Sequence, residues 1–143
     1  VDQKRLDGTA FYRALKFRAD APLGLVQFGV RGNAKRILPA IAHEPTNATG
    51  LTHDNGAIST ARGAPGTAAG DFFIILGTLT GLDANAAAVG DKDGYAVFGH
   101  VVDGMENVVN IQQAPTSATA GEGAMKGQMI EAPIMITLAR RVP

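Results

Sequence analysis

Few residues of this chain have the types and spacing that bond-breaking chemistry requires. Cysteine is absent, so thiol catalysis, disulfides and cysteine zinc sites are all excluded. The three histidines, His43, His53 and His100, are too scattered in the sequence to indicate a metal site. The segment Asp91–Gly94 lacks the ligand order and the distal glutamate of a calcium loop, so it is predicted to be a solvated turn. The sequence therefore predicts no metal and no cofactor.

The apolar pattern predicts many short strands and little helix. Aromatic and aliphatic residues alternate over Thr9–Leu15, which is typical of a strand. Asp103 is predicted to cap a short helix within residues 103–112. The segments 31–55, 77–94 and 114–126 are rich in polar or small residues and are predicted to be loops. The predicted strands are Thr9–Leu15, Gly24–Val30, Gly56–Arg62, Asp71–Leu76, Tyr95–Val101 and Ile130–Arg140. This order of elements indicates a mainly β, barrel-type domain.

Length and charge narrow the classes of function. With 143 residues, the chain is predicted to form a single domain with its own core. Lysine plus arginine equals aspartate plus glutamate, at 13 each, and this balance disfavours a nucleic-acid partner. No apolar run approaches the roughly 20 residues that a membrane helix needs, so no membrane partner is predicted.

Four segments follow one another in an order that resembles a known family. They are Leu6–Arg13 (LDGTAFYR), Gly56–Gly70 (GAISTARGAPGTAAG), Asp71–Gly77 (DFFIILG) and Gly94–Val108 (GYAVFGHVVDGMENV). Together they are similar to the blocks of the cyclophilins, the barrel-type peptidyl-prolyl cis-trans isomerases. The resemblance implies a closed antiparallel β-barrel, which has eight strands in the family. It also implies that residues 1–143 are an N-terminally incomplete domain, without the first two strands and with Val1–Arg5 as the end of the first helix.

The resemblance implies a reaction in which no covalent bond is made or broken. Rotation about an X–Pro bond has a barrier of roughly 18–20 kcal/mol. A donor near the imide nitrogen weakens amide conjugation and so stabilises the twisted state. Arg13 takes the position of the family's catalytic arginine, and Gln27 that of the glutamine that orients it. A guanidinium is suited to this role because it stays charged and offers a rigid fork of donors.

The resemblance also implies a proline pocket and a surface for the residues before proline. Phe73 corresponds to the pocket floor and Leu82 to its wall, while Ala61, Arg62 and Gly63 correspond to a backbone segment that pairs with substrate. The predicted substrate-binding residues are Leu25, Ala61, Arg62, Gly63, Thr67, Phe73, Leu82 and Tyr95.

Several positions differ from the family pattern. Tyr12 replaces a histidine, with little expected effect, and Asp71 replaces a glutamine and could either orient Arg13 or hold it away from substrate. Gly24 stands where a pocket phenylalanine is expected, and either Phe17 or Phe28 could fill the gap. Gly81 replaces an aromatic residue that grips cyclosporin in many members, which predicts weak inhibition by that drug.

Two functions follow from the resemblance. One is an active prolyl isomerase, and the other is a module on the same barrel that binds proline-containing segments with weak or no catalysis. In both cases the expected partners are proline-containing polypeptides and the expected state is a monomer. Resemblance to bacterial members, several of them exported, favours the periplasm slightly over the cytoplasm.

Overall fold

The computed structural model describes all 143 residues, and strands dominate it. The strands are β1 (Thr9–Lys16), β2 (Gly24–Gly29), β3 (Ala57–Thr60), β4 (Asp71–Leu76), β5 (Val97–His100), β6 (Thr116–Ser117) and β7 (Met129–Ile136). They form one antiparallel sheet in the order β5-β3-β4-β2-β1-β7-β6, with β5 and β6 at its ends. The predicted mainly β fold is confirmed.

Helical elements are few and short. They are α1 (Thr46–Thr49), α2 (Met105–Gln112) and two 3-10 turns at Thr80–Leu82 and Gly123–Met125. The short helix near residue 105 is confirmed, but Asp103 does not cap it. The capping position is Gly104, whose left-handed backbone has a φ of 81°, and Asp103 only accepts a hydrogen bond from the adjacent Gly104 N–H. None of the helices has the length and apolar character needed to cross a bilayer.

The central strands carry apolar residues on both faces of the sheet. One face packs Val26, Ile74 and Leu76 against Val108 of α2. The other face packs Leu25, Phe73 and Ile75 against Val97 and the turn that contains Leu82. Because side chains alternate along a strand, Phe72 and Phe73 belong to opposite faces. Only the second face carries the polar residues described below.

Most predicted strands differ from the observed ones by one or two residues at an end, and β6 lies in a segment predicted as loop. The largest differences are at the two ends of the chain. Strand β7 ends at Ile136, whereas the prediction extended it to Arg140. Beyond it, Asp7 accepts hydrogen bonds from Arg140 and from the Ala139 N–H, so side-chain contacts replace the strand ladder. Residues 1–5 form turns rather than the end of a helix, with the Lys4 N–H donating to the Val1 carbonyl.

Candidate active site

A row of paired residues crosses four adjacent strands on one face of the sheet. Arg13 of β1 pairs with Gln27 of β2, Gln27 pairs with Phe73 of β4, and Phe73 pairs with Ser59 of β3. Directly paired residues of antiparallel strands project to the same side. The sheet register therefore aligns a cation, an amide and an aromatic ring that lie far apart in the sequence.

Two amide oxygens hold the Arg13 guanidinium. Its Nη1 donates to Gln27 Oε1 at 2.8 Å, and its Nε donates to Gln128 Oε1 at 2.8 Å. Partial burial lowers the pKa of Arg13 from its ordinary value. No carboxylate forms an ion pair with it.

Tyr12 and Asp71 extend this network behind Gln27. Gln27 Nε2 donates to the Tyr12 hydroxyl at 2.8 Å, and that hydroxyl donates to Asp71 Oδ1 at 3.0 Å. Burial, together with the nearby charge of Asp71, raises the pKa of the Tyr12 hydroxyl. Asp71 thus neither pairs with Arg13 nor holds it away from the pocket. Tyr12, whose replacement of a histidine was expected to have little effect, links Asp71 to the glutamine that contacts Arg13.

Beside Arg13 lies a cavity of about 270 Å³, here called the Arg13 pocket. Phe73 and Tyr95 meet in it edge to face, with ring centroids 5.3 Å apart and an interplanar angle of 86°. Its lining residues are Arg13, Leu15, Leu25, Gln27, Ala61, Arg62, Phe73, Leu82, Tyr95, Ala124 and Met125. Eight of the ten predicted site residues are among them, and Gly63 and Thr67 are the two that are not.

Gly63 and Thr67 line a second, larger cavity of about 760 Å³, here called the side cavity. It shares Gln27, Ala61, Arg62 and Met125 with the Arg13 pocket. Thr67 closes the loop at its rim, since its hydroxyl accepts from the Gly63 N–H at 3.1 Å and donates to the Ala64 carbonyl at 2.6 Å. The two cavities therefore adjoin each other at these shared residues.

Arg62 lines both cavities, and its side chain is almost fully buried. Its guanidinium lies over the Tyr95 ring at 4.8 Å and donates to Asp91 Oδ2 at 2.8 Å and to the Gly94 carbonyl. Burial acts to raise the pKa of Asp91, but hydrogen bonds from Asp93 and Arg62 outweigh it, and the pKa is lowered. The turn at Asp91–Gly94 thus holds the Arg62 guanidinium in place through the Asp91 carboxylate and the Gly94 carbonyl. Neither the backbone N–H nor the carbonyl of Arg62 bonds to another backbone group.

A buried histidine supports the pocket from behind. His53 is fully buried, and its ring stacks on Phe73 with centroids 6.0 Å apart. Its Nδ1 lies 2.6 Å from Asp83 Oδ1, and its Nε2 lies 2.8 Å from the Ser59 hydroxyl. Asp83 also accepts from the His53 backbone N–H at 3.0 Å. His53 therefore joins strand β3, the ring of Phe73 and the turn that carries Leu82.

No phenylalanine takes the place left at Gly24. Phe17 is exposed, and Phe28 packs against Phe11 and Phe72 on the other face of the sheet. A Cβ at Gly24 would lie 2.0 Å from the Leu15 carbonyl oxygen, so no larger side chain fits there. Gly81, in contrast, has room for a side chain, because nothing lies within 4 Å of its Cβ position.

Sequence reasoning missed several residues of this site. Leu15 lies two positions after Arg13 on β1, and strand alternation alone could have identified it. Met125 lies within the segment 114–126 that is predicted to be a loop, Gln128 follows that segment, and no motif marks either residue. Gln128 is 115 residues from Arg13 in sequence, so only the folded chain reveals their contact.

Comparison with known proteins identifies the family. The family model described as cyclophilin type peptidyl-prolyl cis-trans isomerase/CLD matches residues 1–137. The chain belongs to this family.

Two relatives illustrate the similarity. The chain is 32% identical over 111 residues to a peptidyl-prolyl cis-trans isomerase of Acinetobacter baylyi, covering 75% of this chain and 56% of that protein. It therefore spans little more than half the length of this curated relative. The fold is similar to the crystal structure of a cyclophilin type peptidyl-prolyl cis-trans isomerase of Cryptosporidium parvum, determined in the presence of the dipeptide Ala-Pro. That match has a TM-score of 0.61 and 20% identity, and it covers 94% of this chain and 78% of the other.

Proposed function

We propose that this chain accelerates the cis–trans isomerisation of X–Pro peptide bonds in polypeptides. Membership of the family supports this reaction. The observation that carries the proposal is the position of Arg13, which is held by amides at the edge of a pocket lined by Leu25, Phe73 and Tyr95.

The reaction needs a donor that acts on the twisted bond more strongly than on the planar one. In the planar state, conjugation delocalises the lone pair of the imide nitrogen. As the bond rotates, conjugation is lost and the lone pair becomes localised on the nitrogen, where it can accept a hydrogen bond. A guanidinium that donates to this nitrogen therefore stabilises the transition state selectively. Arg13 fills this role in the proposal.

Arg13 has donors to spare for substrate. A guanidinium carries five N–H donors. Protein oxygens accept from Nε and from Nη1, whereas Nη2 has no protein acceptor. In the proposal, the proline ring enters the Arg13 pocket and contacts Phe73, and the remaining donors act on the imide group.

The residues before proline would lie along Ala61–Gly63. The unbonded backbone N–H and carbonyl of Arg62 can pair with an extended peptide, and the side cavity can receive a side chain. The proposed partners are proline-containing polypeptides, and the Ala-Pro dipeptide used with the Cryptosporidium structure is in keeping with this class. The formal net charge of zero supports such a partner over a nucleic acid.

The decisive experiment compares the unmodified chain with Arg13→Ala. Two-dimensional NMR exchange spectroscopy on an Ala–Pro peptide measures the rate at which its cis and trans forms interconvert. Loss of one preorganised donor typically lowers a rate about 10²–10³-fold, and we expect a loss of that order for Arg13→Ala. Arg18→Ala is the matched control, because Arg18 is exposed and pairs only with Asp20.

Either of two results would contradict the proposal. Near-normal exchange in a folded Arg13→Ala chain would remove Arg13 from its role. Peptide-induced chemical-shift changes without faster exchange in the unmodified chain would favour the binding module instead.

A further inference from the structure

We infer that Gln128 is a positioning residue for Arg13, and that it orients the guanidinium towards the Arg13 pocket. This inference rests on the proposed isomerase function. The contact that carries it is the 2.8 Å hydrogen bond from Arg13 Nε to Gln128 Oε1. Gln128 is absent from the lining of the pocket, so it acts through Arg13 and not on substrate.

The chemistry of the neighbours fixes the orientation of the Gln128 amide. Arg13 Nε can only donate, so it requires the oxygen end of the amide. At the other end, Gln128 Nε2 donates to the Ala124 carbonyl at 2.6 Å, and that carbonyl can only accept. Rotating the amide by half a turn would break both bonds. Gln128 therefore presents its oxygen to Arg13 in a single orientation.

The backbone around Gln128 is anchored to the strand that carries Arg13. The Gln128 carbonyl accepts from the Ala14 N–H at 2.9 Å, and the Gln128 N–H donates to the Met125 carbonyl at 3.0 Å. The β1–β7 register shifts between Phe11 and Arg13, so the chain just before β7 lies against Arg13 itself. The residue next to Arg13 thus ties Gln128 in place.

Two contacts at different nitrogens constrain the guanidinium more than either contact alone. Gln27 holds Nη1 from β2, and Gln128 holds Nε from the opposite side of β1. With Gln27 alone, the planar group could still swing about that single bond. With both, its plane is set and Nη2 is left without a protein acceptor. Since misplacing a catalytic group by about 1 Å can cost a factor of 10², this constraint is worth a measurable part of the rate.

The test replaces Gln128 by leucine, which keeps most of the side-chain volume and removes the oxygen. We expect the exchange rate of a saturating Ala–Pro peptide to fall about tenfold, with peptide affinity changed less than about twofold. The Arg13 Nε–Hε resonance should shift and broaden as its acceptor is lost. Gln128→Glu restores an oxygen facing Nε but loses the donor to the Ala124 carbonyl, so it should recover only part of the rate. Gln113→Leu, the same change at an exposed site, is the matched control and should alter nothing.

The outcomes separate this inference from the proposed function. An unchanged rate, or an unchanged Arg13 Nε–Hε resonance in Gln128→Leu, would overturn the role of Gln128. If the unmodified chain does not accelerate exchange, the proposed function fails, while the resonance still reports whether Gln128 holds Arg13. If Gln128→Leu does not fold, the contact between Gln128 and Arg13 is tested in the unmodified chain instead. A nuclear Overhauser effect between Arg13 Hε and the Gln128 amide protons supports the contact, and its absence overturns it.

Discussion

At the residue scale, the Tyr12 hydroxyl connects the Asp71 carboxylate to the Gln27 amide, and Gln27 in turn contacts Arg13. We predict that Tyr12→Phe lowers the free energy of unfolding by about 1–3 kcal/mol, because buried Gln27 Nε2 and partly buried Asp71 Oδ1 each lose a partner. The exchange rate on an Ala–Pro peptide should also fall several-fold as Gln27 becomes free to rotate. Urea denaturation and NMR exchange measure the two effects.

Tyr95→Phe provides the comparison for this change. The Tyr95 hydroxyl forms no hydrogen bond with the protein, so removing it should leave stability within about 0.5 kcal/mol of the parent. Equal losses in Tyr12→Phe and Tyr95→Phe would mean that the chain from Asp71 to Gln27 contributes nothing to stability.

The contacts of Arg13 illustrate which part of a site a sequence reveals. Gln27 follows Arg13 by 14 residues on the next strand, and a local motif identifies both. Gln128 comes from a loop whose path depends on a register shift between β1 and β7. No periodic pattern encodes such a shift, because it results from the packing of the whole sheet.

At the scale of elements, the stacked ring of His53 links three segments that are separate in sequence. We predict that Asp83→Ala lowers the free energy of unfolding by about 1–3 kcal/mol, since the buried His53 side chain and its backbone N–H lose one shared acceptor. The turn with Leu82 should loosen, so peptide affinity should fall more than the rate at saturation. Denaturation and peptide titration by NMR measure these quantities.

Asp103→Ala is the control for Asp83→Ala, because the exposed Asp103 carboxylate contacts only the N–H of the following residue. A fall in affinity equal to that of the control would show that the Asp83 contact does not support the pocket wall.

Six of the seven strands could be predicted, their ends less well, and β6 lies in a segment predicted as loop. Alternation in β1 and the apolar run in β4 reflect burial, which sequence records directly. Burial does not mark the end of β7, because the apolar residues Met135 and Leu138, one on each side of it, are both exposed. Beyond Ile136 the Ala139 N–H donates to the Asp7 carboxylate and not to a neighbouring strand. Asp7 and Ala139 are 132 residues apart in the sequence, so no local pattern predicts this contact.

At the scale of the whole molecule, the sheet assigns different tasks to its two faces. The face covered by α2 is an apolar core, and the opposite face combines apolar packing with the polar row that includes Arg13 and Gln27. The family resemblance could predict eight of the residues that line the Arg13 pocket, because the strand register places most of them on the same face of the sheet. The remaining lining residues, apart from Leu15, come from the segment between β6 and β7.

The amide-only support of Arg13 also determines how the site responds to its ionic surroundings. The chain is neutral as a whole, yet this one cation is only partly buried and no carboxylate balances it. Small multivalent anions should therefore occupy the pocket mouth and compete with peptide. We predict a larger loss of exchange rate in sodium sulfate than in sodium chloride at equal ionic strength, where general screening is the same. Equal losses in the two salts would mean that the cation is shielded from solvent anions.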